Sequence, residues 1–467
     1  MNLIFNVNDR PKFGQVIMFA IQQMLAILAA TIAVPMIIGN GLTPAAAMFG
    51  AGVGTIIYLL FTKFKSPVFL GSSFAFINSM FAAFAGGVSM SLGWLGLILG
   101  ALFAGLVYVV IALVIKKVGV EWINKLMPAV VIGPTVAIIG LGLAGNAIGD
   151  VVKGDVLNAA GAMAASPYVA LLCGLVTLAV TMLCSTYGKK TLRLIPFIIG
   201  ILSGYALAAI FTLIGNLAGV DALKVIDFSV FGSYMVHDGG VSLRTFLSLP
   251  ELTFTKAFQG VSELSFQYVA TIFVAYVPVA FVVFAEHVAD HKNLSTIIGH
   301  DLLKEPGLAN TLLGDGVGSM VGAFFGGCPN TTYGESVACV AITRNASVVS
   351  ILAAAIGCIL FSFVTPLVAF VDSIPACVMG GVCIALYGFI AVSGLKMLQQ
   401  VDLGQNRNLF VASTILVCGI GGLTLNFGSI TITSIATALI LGILANVMLS
   451  KEKTEEVKKD DDANLQA

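Results

Sequence analysis

Charge is what this sequence has least of. Only 10% of its 467 residues are Asp, Glu, Lys or Arg while 58% are hydrophobic, whereas a soluble domain carries about 25% charged residues. A chain this apolar cannot turn its surface to water. Its formal net charge is zero, and the charges fall in short loops and a C-terminal tail, so no basic surface for DNA or RNA exists and nucleic acid is excluded as a partner. Cys173, Cys184, Cys328, Cys339, Cys358, Cys377, Cys383 and Cys418 lie in or beside apolar runs without the spacing of a metal site or disulfide framework, and read as small buried hydrophobes. His287 and His291 lack a third and fourth ligand, so no metal is expected. Neither a nucleophile with its base nor a metal set stands out, which argues against an enzyme. Residues 1–15 lack the basic, apolar and small-residue regions of a cleaved signal peptide, and none is expected.

What the chain has in abundance is apolar runs of about 20 residues, the length that crosses a ~30 Å hydrocarbon layer as a helix. They are predicted near 15–37, 44–62, 68–85, 91–115, 128–149, 167–186 and 194–218. After a polar stretch at 219–264 they resume near 265–289, 309–327, 328–343, 348–370, 375–394, 408–426 and 430–449. Fourteen spans put both termini on one side, and the positive-inside rule supports the count. Basic residues gather in the N-terminal segment, in alternate loops (Lys63, Lys65, Lys125, Lys190, Arg193 among them) and in the tail with Lys453, Lys458 and Lys459. Of the 23 Lys and Arg, only Lys153, Lys224, Arg244 and Lys256 fall on the other side. Both termini are therefore expected in the cytoplasm. Seven is odd, so a second seven-helix unit starts on the opposite face from the first, the condition for an inverted repeat and for alternating access.

Two segments are short and open on helix-breaking residues: the third, with Gly71-Ser72-Ser73, and the tenth, with Cys328-Pro329-Asn330-Thr331-Thr332. They are equivalent in the two halves, and such interrupted pairs point to a transporter's midplane site. Extended backbone at membrane depth needs its polar groups paired, so the two stretches are expected to pair as short antiparallel strands. The alternative is that their small residues merely allow close helix packing.

Few carboxylates fall at membrane depth, and each needs a reason to be there. Glu335 follows Tyr333-Gly334 at the start of the interrupted tenth span. A helix N-terminus there favours an acid and presents N–H donors to a ligand. Glu286 and Asp290 are one helical turn apart near the end of the eighth span, close enough to compete for charge, unless both have reached the interface. Asp315, in a glycine-rich ninth span, either bonds neighbouring backbone or takes part in ion coupling.

From Pro329 to Glu335 (PNTTYGE) and on to AITR at Ala341–Arg344, the chain resembles bacterial uracil permeases of the nucleobase–ascorbate transporter family. The resemblance extends to FAEH at Phe284–His287, DLL at Asp301–Leu303, EPGL at Glu305–Leu308, GSSFAFI at Gly71–Ile77, the ATIAVP run ending at Pro35, and VMGGV with ALYG over Val378–Gly388. It covers essentially the whole chain apart from 219–264 and the tail. It implies an all-α polytopic membrane protein of two intertwined seven-helix inverted repeats. A core domain would comprise 1–127 and 265–372 and a gate domain 128–218 and 373–449, with an extracytoplasmic connection at 219–264 and a charged cytoplasmic tail at 450–467. It further implies that Glu286 and Glu335 grip the polar edge of a nucleobase. Backbone groups at Phe74, Tyr333 and Gly334 would complete the site, with Ala30 and Tyr387 walling it. Where close relatives carry a histidine four residues after the first glutamate, this chain has Asp290, with His291 next, so Glu286, Asp290 and His287 are the candidates for proton coupling.

The expected function is uptake of uracil with a proton across the cytoplasmic (inner) membrane. No cofactor is expected beside the proton, and the partners are the nucleobase, membrane lipid and, left open, a second copy of the chain. PNTTYGE favours uracil over purines. A purine or xanthine permease is the runner-up, an anion carrier of the same plan is disfavoured by the acidic site, and a channel would need a continuous wet pore.

Overall fold

The computed structural model describes residues 3–119, 122, 127–158, 161–189, 191–236, 240, 242–427 and 430–451. The charged tail from 452 onward, with Lys453, Lys458 and Lys459, and the loop residues Lys125 and Lys190 lie outside the described residues.

The chain is mostly helical. Its long apolar helices are α1 (Phe13–Ile38), α2 (Pro44–Phe61), α4 (Met90–Val118), α5 (Ala129–Asp150), α6 (Pro167–Tyr187), α7 (Pro196–Ala218), α8 (Phe266–Ile298) and α12 (Ala376–Leu398), each long and apolar enough to cross a membrane. Between them lie α3 (Ile77–Ala83), α9 (Leu308–Gly326), α10 (Gly334–Thr343), α11 (Val348–Phe361), α13 (Asn406–Ile420) and α14 (Ser434–Met448). Their ends follow the local sequence. The side chains of Thr43, Ser89, Ser265 and Thr433 cap α2, α4, α8 and α14, and Pro44, Pro167 and Pro196 occupy first turns, where a missing N–H is harmless. Gly219, Gly299 and Gly327 end α7, α8 and α9 in the left-handed conformation.

Lipid offers helices no hydrophobic drive to associate, so contact relies on close van der Waals approach. In α2 and α9, a Cβ on Gly50 or Gly54 would strike the opposite helix at Gly322 or Gly318. In α5 and α12, Gly133 and Gly140 meet Gly394 and Ala391 in the same way. The packing falls into two sets. In one, α2 packs on α9 and α11, α4 on α8 and α9, and α1 on α11; in the other, α5 packs on α12 and α13, α6 on α7 and α12, and α13 on α14. Between the sets, α1 touches α7 and α12, while α8 touches α14 and α5.

The third and tenth segments meet as expected. β1 (Leu70–Ser72) and β2 (Asn330–Thr332) pair antiparallel, with Leu70 opposite Thr332 and Ser72 opposite Asn330. A short 3-10 turn, Phe74–Phe76, then leads into α3, while α10 opens directly after β2. Thr55 of α2 seals the edge, accepting from the Leu70 N–H (3.0 Å) and donating to its carbonyl (3.2 Å).

Other boundaries differ from expectation. Helix α8 does not stop near 289 but continues to Ile298, because its polar side chains find partners inside the protein. The run expected at 348–370 breaks after Phe361 and resumes as a short helix, Thr365–Asp372, started by Pro366. The ends of the last two expected spans are β3 (Leu425–Phe427) and β4 (Ile430–Ile432), an antiparallel pair; Ile430–Thr433 is β-branched throughout, which favours extended backbone. The connection at 219–264 holds short helices at Ser229–Met235 and Thr253–Ala257.

Candidate functional site

Where the β1–β2 crossing faces α8 and α12 lies an open cavity of about 500 Å³. Glu286 and Asp290 enter it from α8 and Glu335 from the first turn of α10, so the three carboxylates singled out in the sequence share one space. Asp290 has not emerged beside Lys292 at an interface. It lines the cavity, and its Oδ2 accepts the Thr332 hydroxyl proton at 2.8 Å.

Two helix starts stand at this space, and the first N–H groups of a helix lack intrahelical partners. Ser73 is extended (φ −79°, ψ 122°) with its N–H bonded to the Pro329 carbonyl at 2.8 Å, and Phe74 begins the 3-10 turn. Tyr333 is extended (φ −106°, ψ 123°), and Gly334 begins α10. Phe74, Gly334 and Glu335 all line the cavity. A Cβ added to Gly334 would lie 3.8 Å from Asp290 Oδ1, so a bare backbone sits beside the carboxylate.

Tyr333 also lines the cavity, but its backbone is already engaged. Its N–H bonds to the Phe69 carbonyl (3.3 Å) and its carbonyl accepts from Val337 (3.2 Å). Its hydroxyl donates to the Ser72 carbonyl at 2.7 Å, and its ring fills the space above Gly71, where any Cβ would overlap it. Tyr333 therefore holds the crossing together, and the helix-start donors left without a backbone partner among the described residues are those of Phe74 and Gly334.

His287 and His291 lie on the other face of α8, fully buried and outside the cavity lining. His287 Nδ1 meets Asp315 Oδ2 at 2.7 Å and its Nε2 meets Thr311 Oγ1 at 3.0 Å. Asp315 thus bonds a histidine on the neighbouring helix instead of nearby backbone. His291 Nδ1 faces the His287 carbonyl at 2.7 Å and must carry a proton, which leaves Nε2 to accept from the Tyr58 hydroxyl at 2.6 Å. Of the two other wall positions expected, Ala30 is buried in α1 one turn beyond Ala26, and it is Ala26 that lines the cavity. Tyr387 stands behind Phe74, the two rings meeting edge to face at 6.0 Å.

The far wall was missed in the sequence. It comes from Ile139, Ser185, Arg193, Pro196 and Phe197, and from Leu386, Phe389, Ile390, Ser393 and Met397 of α12. The α12 positions recur at helical spacing and form one face, a signal that was there to be read. Arg193 is the only cation lining the cavity among the described residues.

Comparison with known proteins places this geometry. The sequence model described as Permease family, that of the xanthine/uracil permeases, matches residues 14–428. A uracil permease of Bacillus caldolyticus is 40% identical over 455 residues, covering 96% of this chain and 94% of that one. The uracil permease of Bacillus subtilis is 37% identical, covering 96% of each, and that of Escherichia coli strain K12 is 35% identical, covering 98% of each. Among solved structures, the transmembrane domain of the cyanobacterial bicarbonate transporter BicA superposes with a TM-score of 0.60 at 14% identity, over 95% of this chain and all of that one. The murine anion transporter Slc26a9 in its inward-facing state gives 0.61 at 11%, over 95% of this chain and 69% of that one. At such identity these two speak for the fold alone. On the sequence match, the chain belongs to the xanthine/uracil permease family, the nucleobase:cation symporter-2 family.

Proposed function

We propose that this permease takes up uracil together with a proton across the cytoplasmic membrane by alternating access. The observation that carries the reading is the pairing of carboxylates with free backbone N–H groups around one cavity: Glu286 and Glu335 beside the helix starts at Phe74 and Gly334. Uracil presents two N–H donors and two carbonyl acceptors along its edge, and this set answers both kinds. The uracil permeases that match over nearly the full length favour the same base. An anion is disfavoured, because three carboxylates would repel it. No cofactor enters; the proton is the coupling ion, held by Glu286 and Asp290, with His287 behind them.

The architecture behind this is fourteen spans in two inverted sevens, with both termini in the cytoplasm. The packing supports it, because exchanging each helix with the one seven places later maps the contacts onto one another. The pair α2–α11 becomes α9–α4, α1–α11 becomes α8–α4, α6–α12 becomes α13–α5, α6–α7 becomes α13–α14, and α1–α7 becomes α8–α14. The same contacts are consistent with a core of α1–α4 with α8–α11 and a gate of α5–α7 with α12–α14, and residues of both sets line the cavity.

Uptake of labelled uracil by cells that lack their own uracil transport and express this chain tests the reading. Unlabelled uracil should compete, xanthine and guanine should not, and a protonophore should abolish accumulation. Equal competition by xanthine would point to a purine permease, and indifference to the protonophore would remove the proton.

A further inference from the structure

Beside the cavity lies a second hollow of about 320 Å³, bounded by α6, α7 and α12 and almost wholly apolar. Met182 and Val392 on its lining are about half exposed, on helices apolar enough to cross a membrane, so the hollow opens toward hydrocarbon. Its floor includes Gly388. A Cβ on Gly380, Gly381 or Gly394 of α12 would overlap a neighbouring helix, but one on Gly388 meets nothing within 4 Å. At this point α12 has room where the rest of the helix is tightly packed.

Only a thin wall separates the hollow from the cavity. Ser185, Pro196, Phe197 and Phe389 border both, and the rings of Phe197 and Phe389 meet edge to face at 5.9 Å. At one end of the hollow the chain passes from α6 to α7 through Lys189 and Arg193. The Arg193 Nε donates to the Ser185 carbonyl at 3.0 Å, which ties the guanidinium to the rim of the hollow. Both Lys189 and Arg193 are exposed, and neither forms an ion pair among the described residues.

We propose that the hollow is a binding site for an anionic phospholipid, with one acyl chain lying over Gly388 against Phe389 and the phosphate held by Arg193 and Lys189. An apolar groove open to a bilayer fills with acyl chain, since hydrocarbon is the solvent there and water would find no polar partners. Arg is suited to phosphate because its planar donors bind two oxygens at once, and a basic cluster at the cytoplasmic membrane surface favours anionic headgroups. The bound chain braces the Phe197–Phe389 wall from the lipid side, so the lipid becomes part of the far wall of the cavity.

Native mass spectrometry of the full-length protein in detergent, titrated with phosphatidylglycerol or phosphatidylcholine of the same chains, tests this. The parent should retain one phosphatidylglycerol at least tenfold more tightly than phosphatidylcholine. Gly388→Leu, which grows into open space, should cut that retention tenfold or more. Ala385→Leu, filling the same hollow from another position, guards against a folding defect in the first variant, and both should keep the parent's thermal midpoint. Arg193→Gln should bring phosphatidylglycerol down to the phosphatidylcholine level. Equal retention of the two lipids by the parent, undiminished retention in both filled variants, or a surviving headgroup preference in Arg193→Gln would each overturn the proposal. A lipid-free two-chain species in the parent that Gly388→Leu dissociates would also overturn it, by making the hollow a contact between copies.

Discussion

The Thr332 hydroxyl donates to Asp290 Oδ2 over 2.8 Å, fastening the last residue of β2 to the C-terminal third of α8. Through that bond the crossing of the third and tenth segments and the acidic face of α8 are held in one register, with Glu286 a turn away on the same face.

Removing the hydroxyl should loosen that register. Thr332→Val keeps the shape and the β-branch but leaves Asp290 without its donor, and a hydrogen bond to a charged group contributes roughly 1.5–3 kcal/mol. The expected outcome is a rise of about tenfold or more in the KM for uracil, with Thr332→Ser close to the parent. An unchanged KM in Thr332→Val would show that the bond does not orient the site.

Glu335→Gln should abolish uracil binding. The carboxylate at the first turn of α10 lines the cavity, and the amide would turn an NH₂ toward the N–H edge of the base. Calorimetric titration of the purified variant checks this, and affinity within threefold of the parent would mean that Glu335 does not touch the base.

What the sequence made legible follows from where its breaks stand. Gly71-Ser72-Ser73 and Cys328–Thr332 interrupt apolar runs at corresponding places, and the antiparallel β1–β2 pairing lies at those breaks. Polar residues stranded in apolar helices were equally visible, and Glu286, Asp290 and Glu335 share the cavity. The β3–β4 pair escaped because three residues are too few to display a period of two. The bond from His287 to Asp315 joins residues 28 apart on different helices, where spacing along one helix carries no information. Arg193 reaches the cavity only because α6, α7 and α12 pack together, and nothing in its neighbours announces that.

The crossing itself should be intolerant of a single methyl group. A Cβ on Gly71 would overlap the Tyr333 ring, whose hydroxyl is already fixed on the Ser72 carbonyl, so the ring cannot retreat without breaking that bond. Overpacking of this kind costs typically about 1–3 kcal/mol. Gly71→Ala should lower the thermal midpoint in detergent by several degrees, while Gly388→Ala, with open space around the new Cβ, should not. Equal midpoints for the two would mean that the crossing yields.

Asp155 lies outside the helices, in the connection between α5 and α6, and accepts from the Ala376 N–H at the start of α12 at 3.1 Å. Burial, with Asp227 and Asp150 nearby, pushes its carboxyl up from 3.8 to about 6. A folded value above the unfolded one means that the native state prefers the protonated acid. That stabilisation is complete below about pH 4 and is lost as pH rises through about 6. Asp155→Asn keeps an oxygen for the cap and removes the charge, so its advantage over the parent should grow between pH 5 and 7.5. At roughly 1.4 kcal/mol per pKa unit it is bounded at about 3 kcal/mol. Thermal midpoints at the two pH values measure it, and a gap independent of pH would show that Asp155 does not titrate in that window.

The remaining prediction concerns the proton. Asp290 and Glu286 line one cavity a helical turn apart on α8, and two carboxylates so close share a proton more cheaply than both carry charge. His287 is committed elsewhere, to Asp315 and Thr311 on α9, and His291 to Tyr58, so neither histidine can reach a base held between Glu286 and Glu335 without leaving its own bonds. If the Glu286–Asp290 pair carries the coupled proton, Asp290→Asn leaves Glu286 able to grip uracil but removes its partner in taking up and releasing the proton. Exchange of internal for external uracil, which needs no net proton release, should then continue at a rate within about threefold of the parent. Net uptake should fall by about tenfold or more, the loss of roughly 1.4 kcal/mol of coupling, and its dependence on external pH should change shape. Thr332 still donates to the amide oxygen in this variant, so the register of β2 on α8 survives and the two readouts separate coupling from structure. An unchanged pH profile for net uptake in Asp290→Asn would remove Asp290 from the mechanism and leave Glu286 as the carrier, any help from His287 or His291 then requiring that histidine to leave its present bonds.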